Sequence, residues 1–281
     1  MDTGNLFEVV SDPAESSLRN TLNAWIVAET PLMNYFEEVE EEAALPDLFG
    51  KSVLVGPDQF SNVHGMIKQI SKVLEMPQPL CFIYDSSRYE IDSEGVKLPR
   101  LEVSVKILQD FSEKELIHVL SKELFHIKVG HTRVKILVSK MTKLLNILPE
   151  LPVVNILKQF GSNVAFEATA FHFRSVAFSW YKAACFSAER FALSATDDIC
   201  SSTTAILLTI FNSKKLVDSI NLSSYISQIP KIESCLGPAA TVEVTNEALP
   251  YGPYRILNMI TFALSGNYII ARNLVKSKWE T

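Results

Sequence analysis

Apolar residues at helical spacing are the dominant pattern along this chain. After Pro57 they recur three and four residues apart as far as Leu74, which predicts an amphipathic helix. Ser112 and Glu115 have the spacing of a capping box and predict the start of a second helix, which Gly130 ends. Similar patterns predict helices within residues 12–43, 132–160, 163–194, 197–211, 213–227, 253–263 and 267–276.

Three short runs rich in β-branched and aromatic residues predict a small sheet. They cover residues 52–55, 80–84 and 100–105. The polar stretch 85–97 joins the last two runs, so we expect those runs to pair as a hairpin or within a small sheet. Residues 228–250 are predicted to form a long loop. The predicted fold class is therefore α+β, mainly helical, with a small sheet beside the helices.

Composition and charge narrow the class of protein. Of the 281 residues, 47% are hydrophobic and 21% are charged, which is ordinary for a globular protein, and the net charge is −6. The basic residues are scattered, so we expect no nucleic-acid partner. The acidic run 37–42 predicts a solvated helix face. The four cysteines show no C-x-x-C spacing and are expected to be free thiols in a reducing compartment.

The hydropathy pattern predicts a soluble protein. No apolar run reaches the ~18 residues that a membrane span needs, and residues 1–5 do not begin a secretory signal sequence. Residues 134–160 are apolar enough to leave contact with a membrane surface open.

The candidate chemistry lies within the helix predicted to begin at Ser112. Lys122, Glu123 and His126 have the spacing of His-Glu-x-x-His, the zinc-protease motif, with lysine in place of the first histidine. In the intact motif two histidines one turn apart hold zinc, and the glutamate acts as general base on the zinc-bound water. An ammonium group with a reference pKa of about 10.4 offers no lone pair at neutral pH and repels a metal ion. The motif is therefore degenerate at its first ligand position.

Several segments around this motif follow the pattern of one protein family. Residues 115–120 lead into the motif, and residues 126–131 follow it, as in the family pattern ELxxVLAHELGHIKxGH. Residues 180–190 resemble the family's WxRxAELxADR helix. Arg255 with residues 265–268 resembles its C-terminal R…WxxSxxY pattern.

Together these segments resemble the HtpX-like and CAAX-prenyl-protease-like zinc metallopeptidases, in particular their soluble plant and cyanobacterial branch. The similarity runs from about Asn34 to Arg272. It implies a zincin-like helical domain with a small sheet over residues 51–281, preceded by an N-terminal helical extension over residues 1–50. It also leaves the location open between the cytoplasm and a plastid-like compartment.

The resemblance assigns roles to individual positions in the degenerate motif and beyond it. The three zinc ligands of the family correspond to Lys122, His126 and Cys185, and of these His126 alone is an unchanged ligand. Glu123 keeps the position of the general base. Its alternative role is to pair with Lys122 or another nearby cation.

Three further positions depart from the family pattern. Glu189 takes the place of an aspartate that orients a ligand histidine, and an ion pair with Arg190 or Lys182 is an equal alternative. Residues 87–90 contain neither residue of the Asn-Ala pair that precedes the edge strand. Leu249 stands where the family has the histidine of a His-Pro pair.

Other histidines are not expected to restore the zinc ligands. His118 shares a helix face with His126 but lies roughly 12 Å from it along the axis. His131 follows Gly130 and is expected on a different face. His172 lies in an aromatic-rich helix and is expected in the core.

These departures favour a catalytically inactive relative of a metallopeptidase, with Glu123 as a vestigial base. Such a protein would bind a protein or peptide partner, including an active relative, and would need no cofactor. The alternative is an atypical zinc metalloendopeptidase that uses His126, Cys185 and Glu189 as ligands and Glu123 as base.

Overall fold

Helices form most of the part of the chain that the computed structural model describes, which is residues 4–28, 41–136, 138–139, 163–236 and 250–280. The labelled helices are α1 (Gly4–Val10), α2 (Pro13–Ala28), α3 (Glu41–Lys51), α4 (Ser61–Val73), α5 (Val105–Asp110), α6 (Glu113–Lys128), α7 (Asn163–Thr196), α8 (Ile199–Phe211), α9 (Lys214–Val217), α10 (Leu222–Ile226), α11 (Ile229–Leu236), α12 (Gly252–Ala263) and α13 (Gly266–Trp279). The strands are β1 (Val53–Leu54), β2 (Leu80–Tyr84), β3 (Ile91–Glu94) and β4 (Arg100–Ser104). This content confirms the α+β, mainly helical prediction.

The sheet is mixed and has the strand order β1-β2-β4-β3. Strands β2 and β4 are neighbours, as predicted, but they run parallel, so the hairpin interpretation was wrong. The polar stretch between them contains β3, which pairs antiparallel with β4 at the edge of the sheet. The sequence Ile-Asp-Ser-Glu of β3 is polar, and charged side chains on an edge strand discourage its open backbone edge from pairing with another strand. For that reason it carries no hydrophobic alternation that would reveal a strand.

Helix α6 is the element around which the other layers pack. It begins at the predicted capping box: Ser112 Oγ accepts from Glu115 N–H, and the Glu115 carboxylate accepts from Ser112 N–H. Gly130 follows its end with a φ of 75°, a left-handed conformation that glycine adopts without steric cost. Helices α4, α7 and α8 and strand β3 all contact α6. Its side chains Leu120 and Leu124 are fully buried.

The N-terminal helices contribute to both hydrophobic cores. Leu6 and Val10 of α1 join the main core, which also contains α6 side chains. Leu22 of α2 joins a second cluster around Trp180. The division into an extension of residues 1–50 and a domain of residues 51–281 stays a prediction.

The acidic run 37–42 had predicted a solvated face, but Glu41 is buried. Its carboxylate is buried and accepts hydrogen bonds from the backbone N–H groups of Val96, Lys97 and Leu98, at 2.5, 3.2 and 3.1 Å. Backbone N–H groups of the turn after β3 therefore stabilise the Glu41 carboxylate, which the sequence pattern had placed in contact with water. Residues 37–40 of the same run lie outside the described part.

The predicted loop 228–250 was also partly wrong, because residues 229–236 form α11. Residues 237–249 lie outside the described part of the chain, and so does most of 134–160, the segment considered for a membrane surface. Within the described ranges, no helix has both the length and the hydrophobicity to cross a membrane. All four cysteines are free thiols, as predicted.

Candidate functional site

Lys122 and Glu123 form a buried ion pair in the middle of α6. The distance from Lys122 Nζ to Glu123 Oε1 is 2.8 Å, and the two side chains are 16% and 4% exposed. Glu123 Oε2 accepts from the backbone N–H and the hydroxyl of Ser93 on the edge strand β3, at 3.1 and 2.9 Å. Both oxygens of the carboxylate are therefore occupied, and the predicted pairing with Lys122 is confirmed.

Electrostatics keep both partners of this pair charged. Burial by itself raises the pKa of Glu123, but the adjacent Lys122 ammonium and other nearby positive charges together outweigh it and lower the pKa to about 2. Burial opposes the charge of Lys122 as well, yet the Glu123 carboxylate raises the lysine's pKa above its ordinary value. At neutral pH the position of the general base thus holds a weakly basic, ion-paired carboxylate.

Cys185 and Glu189 lie one helical turn apart on α7, facing the same region. Cys185 is completely buried, and burial raises the pKa of its thiol to about 12, so the thiol is protonated at neutral pH. Glu189 Oε1 accepts from Arg255 Nε at 2.6 Å and forms an ion pair with Nη2 of the same guanidinium group at 2.5 Å. Neither predicted partner pairs with Glu189, and Arg190 instead contacts Asp12 at 3.0 Å.

The partner of Glu189 was missed because Arg255 is 66 residues away in the sequence. Arg255 lies in the first turn of α12, and only the packing of α12 against α7 brings the two side chains together. The one sequence signal for Arg255 was its place in the C-terminal family pattern.

His126 belongs to a buried chain of polar groups that the sequence did not reveal. Its Nδ1 lies 2.9 Å from Nδ1 of His131, and His131 Nε2 lies 2.6 Å from Glu15 Oε1. The Ser187 hydroxyl donates to the other oxygen of Glu15. Burial is the main cause that lowers the pKa of His126 well below its ordinary value, although the Glu123 carboxylate acts in the opposite direction.

His131 was expected on a different face from His126, but the two rings are in contact. The left-handed Gly130 reverses the chain after α6, and residues 131–136 begin a new helical segment that brings the two imidazoles into contact. Glu15 completes the chain from α2, 116 residues away from His131. Burial opposes the charge of Glu15, but its hydrogen bond to His131 helps to lower its pKa below the ordinary value.

The donor groups present do not form a zinc site of the kind that the motif implies. Among the described residues, no group of three His, Cys, Asp or Glu side chains is placed to hold a metal ion. Lys122 contributes a cation at the first ligand position, and Cys185 is a neutral thiol. His126 turns one ring nitrogen to His131, while its Nε2 has no partner in the described part of the chain.

A cleft with a volume of about 430 Å³ opens above the Lys122–Glu123 pair. Its walls come from α6, α7 and α8, from residues 89–92 and from residues 250–255. Within the segment 87–90, where the family pattern is lost, Tyr89 is held by hydrogen bonds to Asp110 and Asn212. Leu249, the other lost position, lies outside the described residues.

His118 lines this cleft. From the sequence it was expected to lie too far from His126 for the two histidines to hold one metal ion. It is 1% exposed, and neither ring nitrogen has a hydrogen-bond partner among the described residues. Burial lowers its pKa to about 3, and the charges of Lys122 and Arg255 act in the same direction. The ring is therefore neutral, with one N–H donor and one acceptor nitrogen unused. His172, in contrast, is exposed rather than in the core, so that expectation was wrong.

Comparison with known proteins gives one distant relationship. A stretch of 117 residues is 27% identical to the plastoglobule-localized metallopeptidase 48, chloroplastic, of Arabidopsis thaliana. The match covers 39% of this chain and 34% of the other, so the chain spans about a third of the length of that relative. No protein-family model matches the chain, and no solved structure matches it. These findings support a metallopeptidase-like relationship at the level of a distant homologue.

Proposed function

We propose that this chain is a catalytically inactive relative of zinc metallopeptidases, which binds a peptide segment of a partner protein in the cleft above Lys122. One observation carries the proposal: Lys122 and Glu123, at the positions of the first ligand and the general base, form a buried ion pair at 2.8 Å. An ammonium group in that place cannot coordinate a metal ion. Where the intact motif has a zinc ligand and a general base, this chain has a lysine and a glutamate that neutralise each other's charge.

The state of Glu123 supports the same proposal. A general base needs a pKa near the working pH and an oxygen within reach of the proton that it takes. The pKa of Glu123 is lowered to about 2, and its oxygens already accept from Lys122 and from Ser93. Its carboxylate is better suited to tie α6 to the edge strand than to activate a water molecule.

Metal content and hydrolysis of the purified full-length chain test this proposal. We expect close to no bound zinc after purification in zinc-containing buffer, and no hydrolysis of a quenched-fluorescence peptide library above a buffer blank. The double variant Lys122→His with Cys185→Glu should gain zinc, and the exposed Lys68→His should not. About one zinc per chain together with hydrolysis that is lost in Glu123→Gln would contradict the proposal.

The alternative function is an atypical zinc metalloendopeptidase with His126, Cys185 and Glu189 as ligands and Glu123 as base. The observation in its favour is that His126 Nε2 and Glu189 Oε2 are buried without a partner among the described residues. This function requires Cys185 to bind as a thiolate. A Cys185→Ser variant that loses zinc and hydrolysis together, in a protein that had both, would establish it.

The partner and the location belong to the same proposal. An active relative of this chain is one candidate partner, because the cleft of this chain could then bind a segment of that relative. The metallopeptidase that matches part of the chain is described as chloroplastic, so a plastid location is the first to examine by fractionation.

A further inference from the structure

The floor of the cleft carries hydrogen-bond donors that no described protein group uses. Lys122 gives one of its three N–H bonds to Glu123. Arg255 directs Nε and Nη2 to one oxygen of Glu189, so its Nη1 has no partner in the structure described. His118 has two unpartnered ring nitrogens, one of them a donor, although the side chain is almost completely buried. The two His118 nitrogens are buried as well as unpaired among the described residues, and such groups are rare in folded proteins.

The charges on this floor already cancel. Lys122 is paired with Glu123 at 2.8 Å, and Arg255 is paired with Glu189 at 2.5 Å. What remains among the residues that line the cleft is a set of N–H donors on Lys122, Arg255 and His118, whereas Glu189, whose Oε2 is unpartnered among the described residues, is not part of the lining. A cationic ligand would meet an ammonium and a guanidinium group there, whereas an ionised carboxylate accepts several hydrogen bonds at once and donates none.

The two carboxylates at the rim have partners of their own. Asp92 is paired with Lys135 at 2.7 Å, and Glu90 accepts from the hydroxyls of Ser86 and Tyr84. The walls above the floor include apolar side chains of α6 and α8, such as Val119 and Ile206. A ligand with a carboxylate at its end and an apolar group next to it therefore matches the cleft.

We propose that the cleft binds the C-terminal carboxylate of a peptide, with Lys122, Arg255 and His118 as its donors. This inference rests on the proposed function and names the ligand group that the cleft takes. A cation at the former metal position still attracts an anion, but it activates no water. The last side chain of the peptide then contacts the apolar wall.

Calorimetric titration of the unmodified full-length protein tests the inference. The probes are acetyl-Ala-Ala-Ala-Leu with a free carboxylate, the same peptide as its C-terminal amide, and hexanoate as a carboxylate without peptide groups. We expect the acid peptide to bind at least tenfold more tightly than the amide. Hexanoate binding as tightly as the acid peptide would keep the carboxylate site but overturn the peptide as its source.

Two variants locate the binding groups. His118→Phe keeps a ring in the same space without nitrogen atoms, and it should weaken the acid peptide at least threefold. Lys122→Met combined with Glu123→Gln removes both charges of the pair together, so no buried charge is left alone, and the acid-to-amide preference should fall below threefold. The substitutions His172→Phe and Lys68→Met, at exposed positions, are the matched controls. They should leave the preference for the acid peptide over the amide unchanged.

The outcomes separate this inference from the proposed function. Equal affinity for the acid and amide peptides, measured on the unmodified protein, would overturn the carboxylate site and leave peptide binding in place. A preference for the acid peptide that persists in both variants would also overturn the carboxylate site at Lys122, Arg255 and His118, provided that circular dichroism shows the variants to be folded. Zinc-dependent hydrolysis would overturn the proposed function whatever the peptide titration gives.

Discussion

The buried pair Lys122–Glu123 should make the replacement of Lys122 by methionine costly. The change keeps an unbranched side chain but leaves Glu123, whose side chain is 4% exposed, without its cation. Removing one partner of a buried ion pair typically costs about 3–5 kcal/mol. The two hydrogen bonds from Ser93 remain to solvate the carboxylate, so we expect the lower end, about 3 kcal/mol at pH 7.

The double variant Lys122→Met with Glu123→Gln tests whether this cost comes from the stranded charge. A neutral glutamine oxygen can still accept from Ser93, so the double change should cost less than Lys122→Met alone, by about 1–2 kcal/mol. Urea unfolding at 25 °C, followed by circular dichroism, gives the midpoint and slope for each variant. Lys51→Met is the matched control, because its pair with Asp47 is exposed (74% and 75%) and its loss should not shift the midpoint measurably.

The pH dependence provides a second check on the same pair. The pKa of Glu123 is lowered to about 2 in the folded protein, from an ordinary value of 4.5. A lowered carboxylate pKa contributes stability that is complete above the unfolded pKa and is lost as the pH falls through the folded one. The cost of Lys122→Met should therefore shrink between pH 4.5 and pH 2. A cost below about 1 kcal/mol that is the same at pH 3 and pH 7 would refute the reasoning.

Two further predictions concern groups that the fold buries. His118→Phe should reduce the loss of stability on acidification between pH 6.5 and about 3 by up to about 1.4 kcal/mol per pH unit, since the unfolded histidine takes up a proton there and the folded one does not; an unchanged difference between urea midpoints at pH 7 and pH 5 would contradict this. Glu41→Gln should cost about 1–3 kcal/mol, because three backbone N–H groups lose an ionised acceptor; the exposed Glu42→Gln is its control, and equal midpoints for the two variants would show that Glu41 is not needed.

The local part of the fold could be predicted from the sequence alone. The start of α6 at Ser112 and its end before Gly130 depend on residues within a few positions of one another, and the structure confirms both. The pairing of Lys122 with Glu123 is also local, since the two are adjacent. Hydrophobic spacing, capping and glycine conformation act over single turns, so they leave a direct trace in the sequence.

The partners of the candidate site were decided by tertiary packing. Arg255 reaches Glu189 across 66 residues, and Glu15 reaches His131 across 116, so no local pattern links either pair. The parallel pairing of β2 with β4 likewise depends on where the polar edge strand β3 is placed. By itself the sequence determined most of the helices and the adjacent Lys122 and Glu123 in the middle of α6. Only the tertiary structure decided which charges neutralise one another and left His118 without a hydrogen-bond partner among the described residues, because burial and long-range contact exist only once the chain has folded.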